Sequence, residues 1–258
     1  MTDWQEIFAP VRDELDIWER SGKQARLWLR DDDAVEPTDA LARLVSISGQ
    51  ADVPLLLCVV PETTSNALRD ALAAEQHVRV AVHGFGHHNH APAGEKAQEL
   101  GPHRPVKDVL SELQRSRAKL QDLYGEQLSR ILVPPWNRIS PDVVAHLPQL
   151  GFAGLSTFGS THEAKNVPGL DQLNTHLDII DWKGTRGGRD PHWLASELAK
   201  LLQRSRGGDE APIGVLAHHL VHDELAWTFL EELFRLTAHH PAVSWQAADA
   251  LIAQSEAE

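Results

Sequence analysis

The chain has 258 residues and a formal charge of −13 with histidine neutral. This length suits one large domain, and 42% hydrophobic with 24% charged residues is typical of a globular protein, which excludes a disordered chain. The acidic charge disfavours nucleic acid as a partner, because it would repel a phosphate backbone. The single cysteine, Cys58, cannot form an internal disulfide, and its apolar run PLLLCVV predicts a small buried side chain.

The N-terminal segment, MTDWQEIFAPVRDELDIWER, is charged and amphipathic and lacks the apolar core of a signal peptide. No stretch is long and apolar enough to predict a membrane-spanning helix. We therefore expect a cytoplasmic protein without a membrane partner. The sequence leaves open whether the chain forms a homo-oligomer.

Short apolar runs alternate with helical patterns along the chain. Helices are predicted at 1–22, 37–50, 65–75, 105–124, from Ser140 onward, at 192–206, at 224–238 and at the C-terminus. Strands are predicted at 25–31, 53–60, 78–83, 130–133, 152–158, 177–181, 212–218 and 242–245. This alternation indicates a parallel sheet, and seven or eight strand–helix units are enough to close an α/β barrel.

Polar residues follow several of the predicted strands at the point where each strand ends. They are Asp31 to Asp33, His83, Pro134 to Asn137, Asp181 and His218. In β/α barrels the carboxyl ends of the strands form the rim that carries the active site. The sequence therefore predicts one site that gathers these residues.

Three adjacent carboxylates and a histidine cluster point to a metal at this rim. Alternation along a strand directs Asp31 and Asp33 to one face and Asp32 to the other, and carboxylates this close together favour a bound cation. In the segment HGFGHHNH, His83 and His87 have the i, i+4 spacing of paired metal ligands. An aspartate with these two histidines would make an open catalytic site, but spacing does not choose among the three aspartates. A solvated loop or a helix cap is the alternative, most of all for Asp33.

Two further segments place polar residues at the rim. In GVLAHHLVHD, alternation sends His218 and His219 to opposite faces, and we favour His218 as a general acid over a structural histidine. In DIIDW, Asp181 is placed to fix a neighbouring arginine or histidine and Trp182 to wall a pocket, although a helix cap and a core tryptophan are equally compatible.

Taken in order, these motifs resemble the polysaccharide deacetylases (NodB homology, carbohydrate esterase family four). The matching segments are Leu29 to Asp33, His83 to His87, Val133 to Asn137, Asp178 to Trp182 and Leu216 to His218. The resemblance implies a distorted (β/α)7–8 barrel. It also implies a single domain over 1–258, with its core at about 25–250 and a helical extension at 1–22.

The resemblance also implies roles for individual residues. Asp31 takes the position of the catalytic base and His218 that of the general acid, while Asp32, His83 and His87 take the metal positions. Substrate-binding or supporting positions fall on Arg30, Trp136, Asn137, Asp181 and Trp182. The implied metal is zinc, although cobalt, nickel or manganese also suit such ligands, and the implied reaction removes an acetyl group from an N- or O-acetylated carbohydrate.

The sequence departs from the family pattern at three positions. Asp33 replaces a glycine of the first motif, Gly84 replaces a serine of the second, and Val133 replaces the arginine that orients the base. Arg30 and Arg138 are the candidates to supply that guanidinium. The roles of His88, His90, His219 and His222 stay open.

Two other functions are compatible with the same residues. One is an amidase or imidase acting on a small molecule, which a cytoplasmic location favours. The other is a catalytically silent module that binds a sugar or a metal, which the missing arginine favours. We expect the segment Glu95 to Arg104 to be a solvated loop more than a substrate contact.

Overall fold

The computed structural model describes residues 3–160, 162–208 and 211–255. The helices of this part of the chain are α1 (Trp4–Ile7), α2 (Ala9–Arg20), α3 (Asp39–Gln50), α4 (Asn66–Leu72), α5 (Val106–Tyr124), α6 (Pro141–Val144), α7 (Pro191–Gly207), α8 (Glu224–Thr237) and α9 (Ala248–Ser255). The strands are β1 (Ala25–Ala34), β2 (Leu55–Val59), β3 (Val78–His83), β4 (Leu128–Val133), β5 (Gly154–Leu155), β6 (Asp171–Gln172), β7 (Leu177–Asp178), β8 (Ile213–Ala217) and β9 (Val243–Trp245).

All strand pairs in the sheet are parallel, in the order β6-β5-β4-β3-β2-β1-β8-β7, and β9 also pairs with β1. The segment 171–178 contains β6 and β7, the first and last strands in this order, and so connects the two edges of the sheet. Thr175 N donates to Thr157 O beyond β5 at 3.1 Å, and the next residue, His176, donates from its N to Gly214 O of β8 at 2.7 Å. The sheet therefore curls round into the distorted (β/α)7–8 barrel that the sequence predicted.

Alternate residues of the strands divide the core into two layers. Leu27, Leu29, Leu57 and Val82 pack outward in a large cluster with the helices. The inner layer is a smaller cluster made of Trp28, Leu56, Cys58, Ala81, Ile131, Val133, Ala153, Leu173, Ala248, Leu251 and Ile252. Cys58 is fully buried in this inner layer, as its apolar run predicted.

Helix α9 closes the end of the barrel where the strands begin. Its Asp249 accepts a hydrogen bond from Arg79 Nε at 2.7 Å and another from Ser129 Oγ, and both partners lie near the start of a strand. The opposite end, where the strands finish, is therefore left as the open rim.

The N-terminal helices belong to the outer layer. Trp18 of α2 is buried and donates from Nε1 to Leu202 O of α7 at 3.2 Å, and Glu14 pairs with Arg206 Nε at 2.6 Å. No helix within the described ranges has the length and apolar character that a membrane span needs.

The observed elements differ from the predicted ones mainly at strand lengths. β3 matches its prediction, whereas β1 runs three residues further, to Ala34, and the predicted strand 152–158 retains only Gly154–Leu155. Strand β6 was not predicted. Its two residues, Asp171 and Gln172, are polar and half-buried, so they carry no apolar pattern.

Gly214 provides a test of this packing, because a Cβ there would lie 2.7 Å from both Thr175 Cα and Trp28 Cε2. We expect Gly214→Ala to lower the free energy of unfolding by about 1–3 kcal/mol, since the contact would overpack the barrel. Gly207→Ala is the matched control, because no atom of the described residues lies within 4 Å of its added Cβ. Denaturant titration of both variants measures the effect, and equal stability would contradict the close packing described.

Candidate active site

Strand β1 delivers its charged residues to different sides of the sheet. Arg30 and Asp32 follow Trp28 on the inner face and are buried. Asp31 points outward, where its Oδ1 lies 2.5 Å from His219 Nδ1 and its Oδ2 accepts from His219 N at 2.8 Å. Asp31, expected to be the catalytic base, is therefore committed to a buried pair behind the sheet.

Asp33 breaks the alternation of β1. Its φ of 73° lies in the left-handed region, and the pairing of β1 with β2 shifts register between Asp31 and Ala34. Such a bulge redirects the side chain that follows it. Asp33 Oδ1 consequently lies 3.1 Å from His83 Nε2 and 3.2 Å from His87 Nε2.

The trio of Asp33, His83 and His87 fits a divalent cation. One ligand atom from each residue lies within 4.8 Å of the others. His83 Nδ1 is 3.0 Å from the Val133 carbonyl oxygen, which can only accept, so Nδ1 carries a proton and Nε2 is the nitrogen that would bind a metal. Two imidazole nitrogens and a carboxylate converging in this way are the donor set of an open catalytic site. The third side chain is Asp33 where the family alignment led us to expect Asp32, and the physical reason is the bulge.

Asp32 lies beside this trio and is held by Arg30. Asp32 Oδ2 is 2.9 Å from Arg30 Nη2 and 3.9 Å from His218 Nε2. No N–H or O–H group of the described residues donates to Asp32 Oδ1. Burial alone would raise the pKa of Asp32, but the charges of Arg30, His83 and His218 hold it below its usual value. The site therefore contains an ionised carboxylate with one oxygen held by Arg30 and the other without an N–H or O–H donor among the described residues.

Arg30 crosses the inside of the barrel to reach acceptors near β4 and β5. Its Nη2 donates to Asn137 Oδ1 at 2.6 Å, and its Nη1 donates to Ser156 Oγ at 2.8 Å and to Thr157 O at 3.2 Å. Arg138, the other candidate, donates to Ala97 O instead, at 2.8 Å. Of the two candidate arginines, Arg30 is therefore the one that contacts Asp32, and Asn137 supports it.

The loop that carries His87 is fastened by Glu99, which the sequence analysis missed. Glu99 is buried; its Oε2 accepts from Phe85 N at 2.9 Å, and its Oε1 accepts from Gly86 N at 2.9 Å and from His88 N at 3.1 Å. Gly84 has a φ of +63°, and a Cβ there would lie 2.0 Å from Glu99 Oε2. The glycine that replaces the family's serine therefore makes room for the carboxylate.

Two tryptophans flank the site. The ring of Trp136 lies 4.2 Å from that of His87, and the ring of Trp182 lies 4.7 Å, edge-on, from that of His218. Trp182 Nε1 donates to Asp178 Oδ2 at 2.9 Å, and burial raises the pKa of Asp178. Asp178 is therefore the residue that positions Trp182, whereas Asp181 accepts from Gly184 N at 3.2 Å and stabilises the following turn.

The remaining histidines contact other groups. His88 Nε2 is 3.2 Å from Glu62 Oε2, and His90 Nε2 accepts from Arg104 Nη1 at 2.7 Å. His222 packs on Trp227 with ring centres 4.3 Å apart, and burial lowers its pKa to about 4. His88 and His90 thus hold the loop after β3 in place, and His222 is a largely buried neutral side chain.

The fold is that of the polysaccharide deacetylases and family 4 carbohydrate esterases. A candidate polysaccharide deacetylase from Mycobacterium smegmatis superposes with a TM-score of 0.65 at 17% identity, covering 84% of this chain and 77% of that one. A family 4 acetyl xylan esterase from Clostridium thermocellum, in complex with cobalt, gives a TM-score of 0.53 at 13% identity, covering 90% and 92%. A mutant of a family 4 pseudoenzyme with restored activity gives 0.58 at 15%, covering 89% and 68%. No family model and no curated protein matches the sequence.

The three hydrogen bonds to Glu99 can be tested through metal affinity. In Glu99→Gln an amide N–H₂ would face backbone N–H groups, so the loop that carries His87 should lose its fixed geometry. We expect divalent-metal affinity to fall by about 10–100-fold, as is usual when a group supporting the ligands is lost. Calorimetric titration with zinc measures this.

Glu95→Gln is the matched control, because Glu95 lies on the same loop but is exposed, and among the described residues its carboxylate pairs with His103 alone, at 3.4 Å. An unchanged zinc affinity in Glu99→Gln would show that Glu99 does not position the ligands.

Proposed function

We propose that the protein is a metal-dependent hydrolase that removes an acetyl or other acyl group from an N- or O-acylated carbohydrate. The observation that carries the proposal is the side-by-side arrangement of the Asp33–His83–His87 trio and Asp32, whose Oδ1 accepts no N–H or O–H hydrogen bond from the residues that the structure describes. The deacetylases and esterases that share the fold support it.

Asp33, His83 and His87 would hold the metal. A divalent cation in this place supplies Lewis-acid polarisation of the acyl carbonyl and activation of a water. Zinc is the first expectation from the carboxylate and imidazole ligands, and cobalt, nickel and manganese are accepted by similar sets. The cobalt in the Clostridium thermocellum esterase supports that range.

Asp32 is the general base in this proposal, in place of Asp31. Arg30 fixes Oδ2 through the 2.9 Å contact, so Oδ1 is left to take the proton from the attacking water. His218 Nε2, 3.9 Å from Asp32, then donates a proton to the departing amine or alkoxide. One group accepts and the other donates, so the pair completes the proton transfers of acyl hydrolysis.

The backbone beside Trp136 is the candidate oxyanion donor. Trp136 and Asn137 have φ values of 54° and 56°, which turn the chain sharply next to His87. Asn137 N and Arg138 N donate within the turn, to Pro134 O and Pro135 O, so Trp136 N is the donor that we propose for the oxyanion. A backbone N–H fixed in such a turn stabilises the oxyanion of a tetrahedral intermediate without reorganising during the reaction.

A small-molecule amidase is the second function that the site supports. We propose that the protein is cytoplasmic and that its substrate is a small carbohydrate or amide. The two proposals go together, because bulk polysaccharide lies outside the cell. Acetylated monosaccharides and cyclic amides, assayed side by side, separate the two. A silent binding module loses its main argument, because Arg30 supplies the guanidinium that Val133 cannot. Because one of the structural neighbours derives from a pseudoenzyme, the absence of turnover on every substrate in these assays would favour the silent binding module.

The division of labour between the two aspartates gives a sharp test. Asp33→Asn should lose bound metal and turnover together. Asp32→Asn should retain the metal while turnover falls by about 10²–10⁴-fold, the usual contribution of a general base. Elemental analysis and acetate release measure both properties on the same samples.

Asp31→Asn is the control for introducing an amide into β1, and it should retain the metal. The assignment would be overturned if Asp32→Asn lost the metal and Asp33→Asn kept it.

Arg30 and Arg138 form a second matched pair. Arg30→Gln leaves a buried carboxylate without its cation, so we expect a loss of about 3–5 kcal/mol in unfolding free energy and a fall in kcat. Arg138→Gln removes a contact to a backbone carbonyl and should leave kcat within about twofold. Thermal unfolding and steady-state kinetics measure the two effects, and equal kcat losses would contradict the role of Arg30.

A further inference from the structure

The large apolar side chains that are exposed gather at the rim of the barrel. Among the described residues they are Phe158 at 38%, Trp182 at 40%, Trp193 at 46%, Leu220 at 51% and Leu225 at 37%. Each follows the carboxyl end of a strand or begins the next helix. Exposed apolar groups concentrated in one region usually mark a binding surface.

Four of these residues lie on two adjoining segments beside His218. Trp182 and Trp193 flank the loop that follows β7, and Leu220 and Leu225 follow β8. Asp223 joins the segments, because its Oδ1 accepts from Gly188 N and from Ala226 N, each at 2.9 Å. We name the set Trp182, Trp193, Leu220 and Leu225 the apolar patch. It begins at the site itself, since Trp182 touches His218.

The rim differs on the side that follows β3. There the loop exposes His88, Asn89, Glu95 and Lys96, and Glu99 and Arg104 tie it down. The side of the rim next to the metal-binding trio therefore exposes mainly polar side chains, with Trp136 against His87, whereas the side next to His218 exposes the apolar patch among polar residues such as Lys183 and Arg186. A substrate that spans the mouth of the barrel meets both.

We propose that the leaving group of the substrate carries an apolar chain or ring that lies on the apolar patch. This inference rests on the proposed function, because His218 is the group that protonates the leaving amine or alkoxide. The leaving group would therefore extend past His218 towards Trp182 and Leu220. The substrate class is thus an amphiphilic acylated sugar, such as an alkyl or aryl glycoside, and not the interior of a polysaccharide.

The leucines favour this class over a second sugar unit. A tryptophan face accepts either a sugar ring or a hydrocarbon. A leucine side chain has neither a flat ring face nor a hydrogen-bonding group, and it gains chiefly by covering hydrocarbon. Each methylene removed from water contributes about 0.8 kcal/mol, or about fourfold in affinity.

The test compares methyl and octyl glycosides of N-acetylglucosamine, both kept below the concentration at which the octyl compound forms micelles. We expect kcat/KM of the metal-loaded protein to be at least about tenfold higher for the octyl glycoside, which corresponds to about two methylenes covered. Leu220→Ser and Leu225→Ser should each lower the octyl-to-methyl ratio. Phe158→Ser is the control, because Phe158 is similarly exposed but follows β5, and it should leave the ratio unchanged.

Equal kcat/KM for the two glycosides would overturn the inference while leaving the deacetylase proposal standing. If neither glycoside loses its acetyl group, the proposed function fails for N-acetylated sugars, and calorimetric affinities for the same two compounds then decide on the patch alone. The patch would be an interface between two copies of the chain if light scattering found a dimer that Leu220→Ser dissociates, and that result would also overturn the inference.

Discussion

The alternation of strand β1, together with its single break, decides where the charges of this protein lie. Even-numbered residues from Trp28 to Asp32 enter the barrel and odd-numbered ones face the helices, until the left-handed φ of Asp33 interrupts the pattern. The same alternation in β8 sends His218 inward and His219 outward to Asp31. Three consecutive carboxylates thereby acquire three environments: Asp31 lies in an outer ion pair, Asp32 is the proposed base on the inner face, and Asp33 lies at the proposed metal position.

The buried pair of Arg30 and Asp32 ties the site to the closure of the barrel. A carboxylate inside an apolar barrel is stable only with a compensating charge, and a guanidinium there must also satisfy its own N–H groups. Those groups reach Ser156 and Thr157, which follow β5, and Asn137, which follows β4. The curl of the sheet brings β5 opposite β1, and this supplies the acceptors that stabilise the buried charge of Arg30. The fold and the site therefore depend on each other.

The sequence alone predicted the barrel and most of its helices, because apolar periodicity and polar strand ends are local signals. It also paired His83 with His87 and chose His218 over His219, since spacing and alternation decide both. Spacing did not choose among the three aspartates, and the family resemblance placed the metal on Asp32 and not on Asp33, because a bulge is set by the register with β2 and leaves no mark in the run LRDDD. Glu99 was missed for a similar reason: its partners are backbone N–H groups, which any sequence supplies.

Val133 stands where the family pattern has an arginine, and it shows that a functional group can keep its place in space while it changes its place in the sequence. The proposed base, Asp32, requires a guanidinium next to its Oδ2. An inward-pointing residue on any strand of the barrel can supply a side chain to this interior. Val133 of β4 and Arg30 of β1 both point inward, so an arginine from either strand can reach this interior. A comparison of motifs by sequence position would therefore count the site as incomplete, whereas the arrangement around Asp32 contains every group that the proposed chemistry needs from the chain.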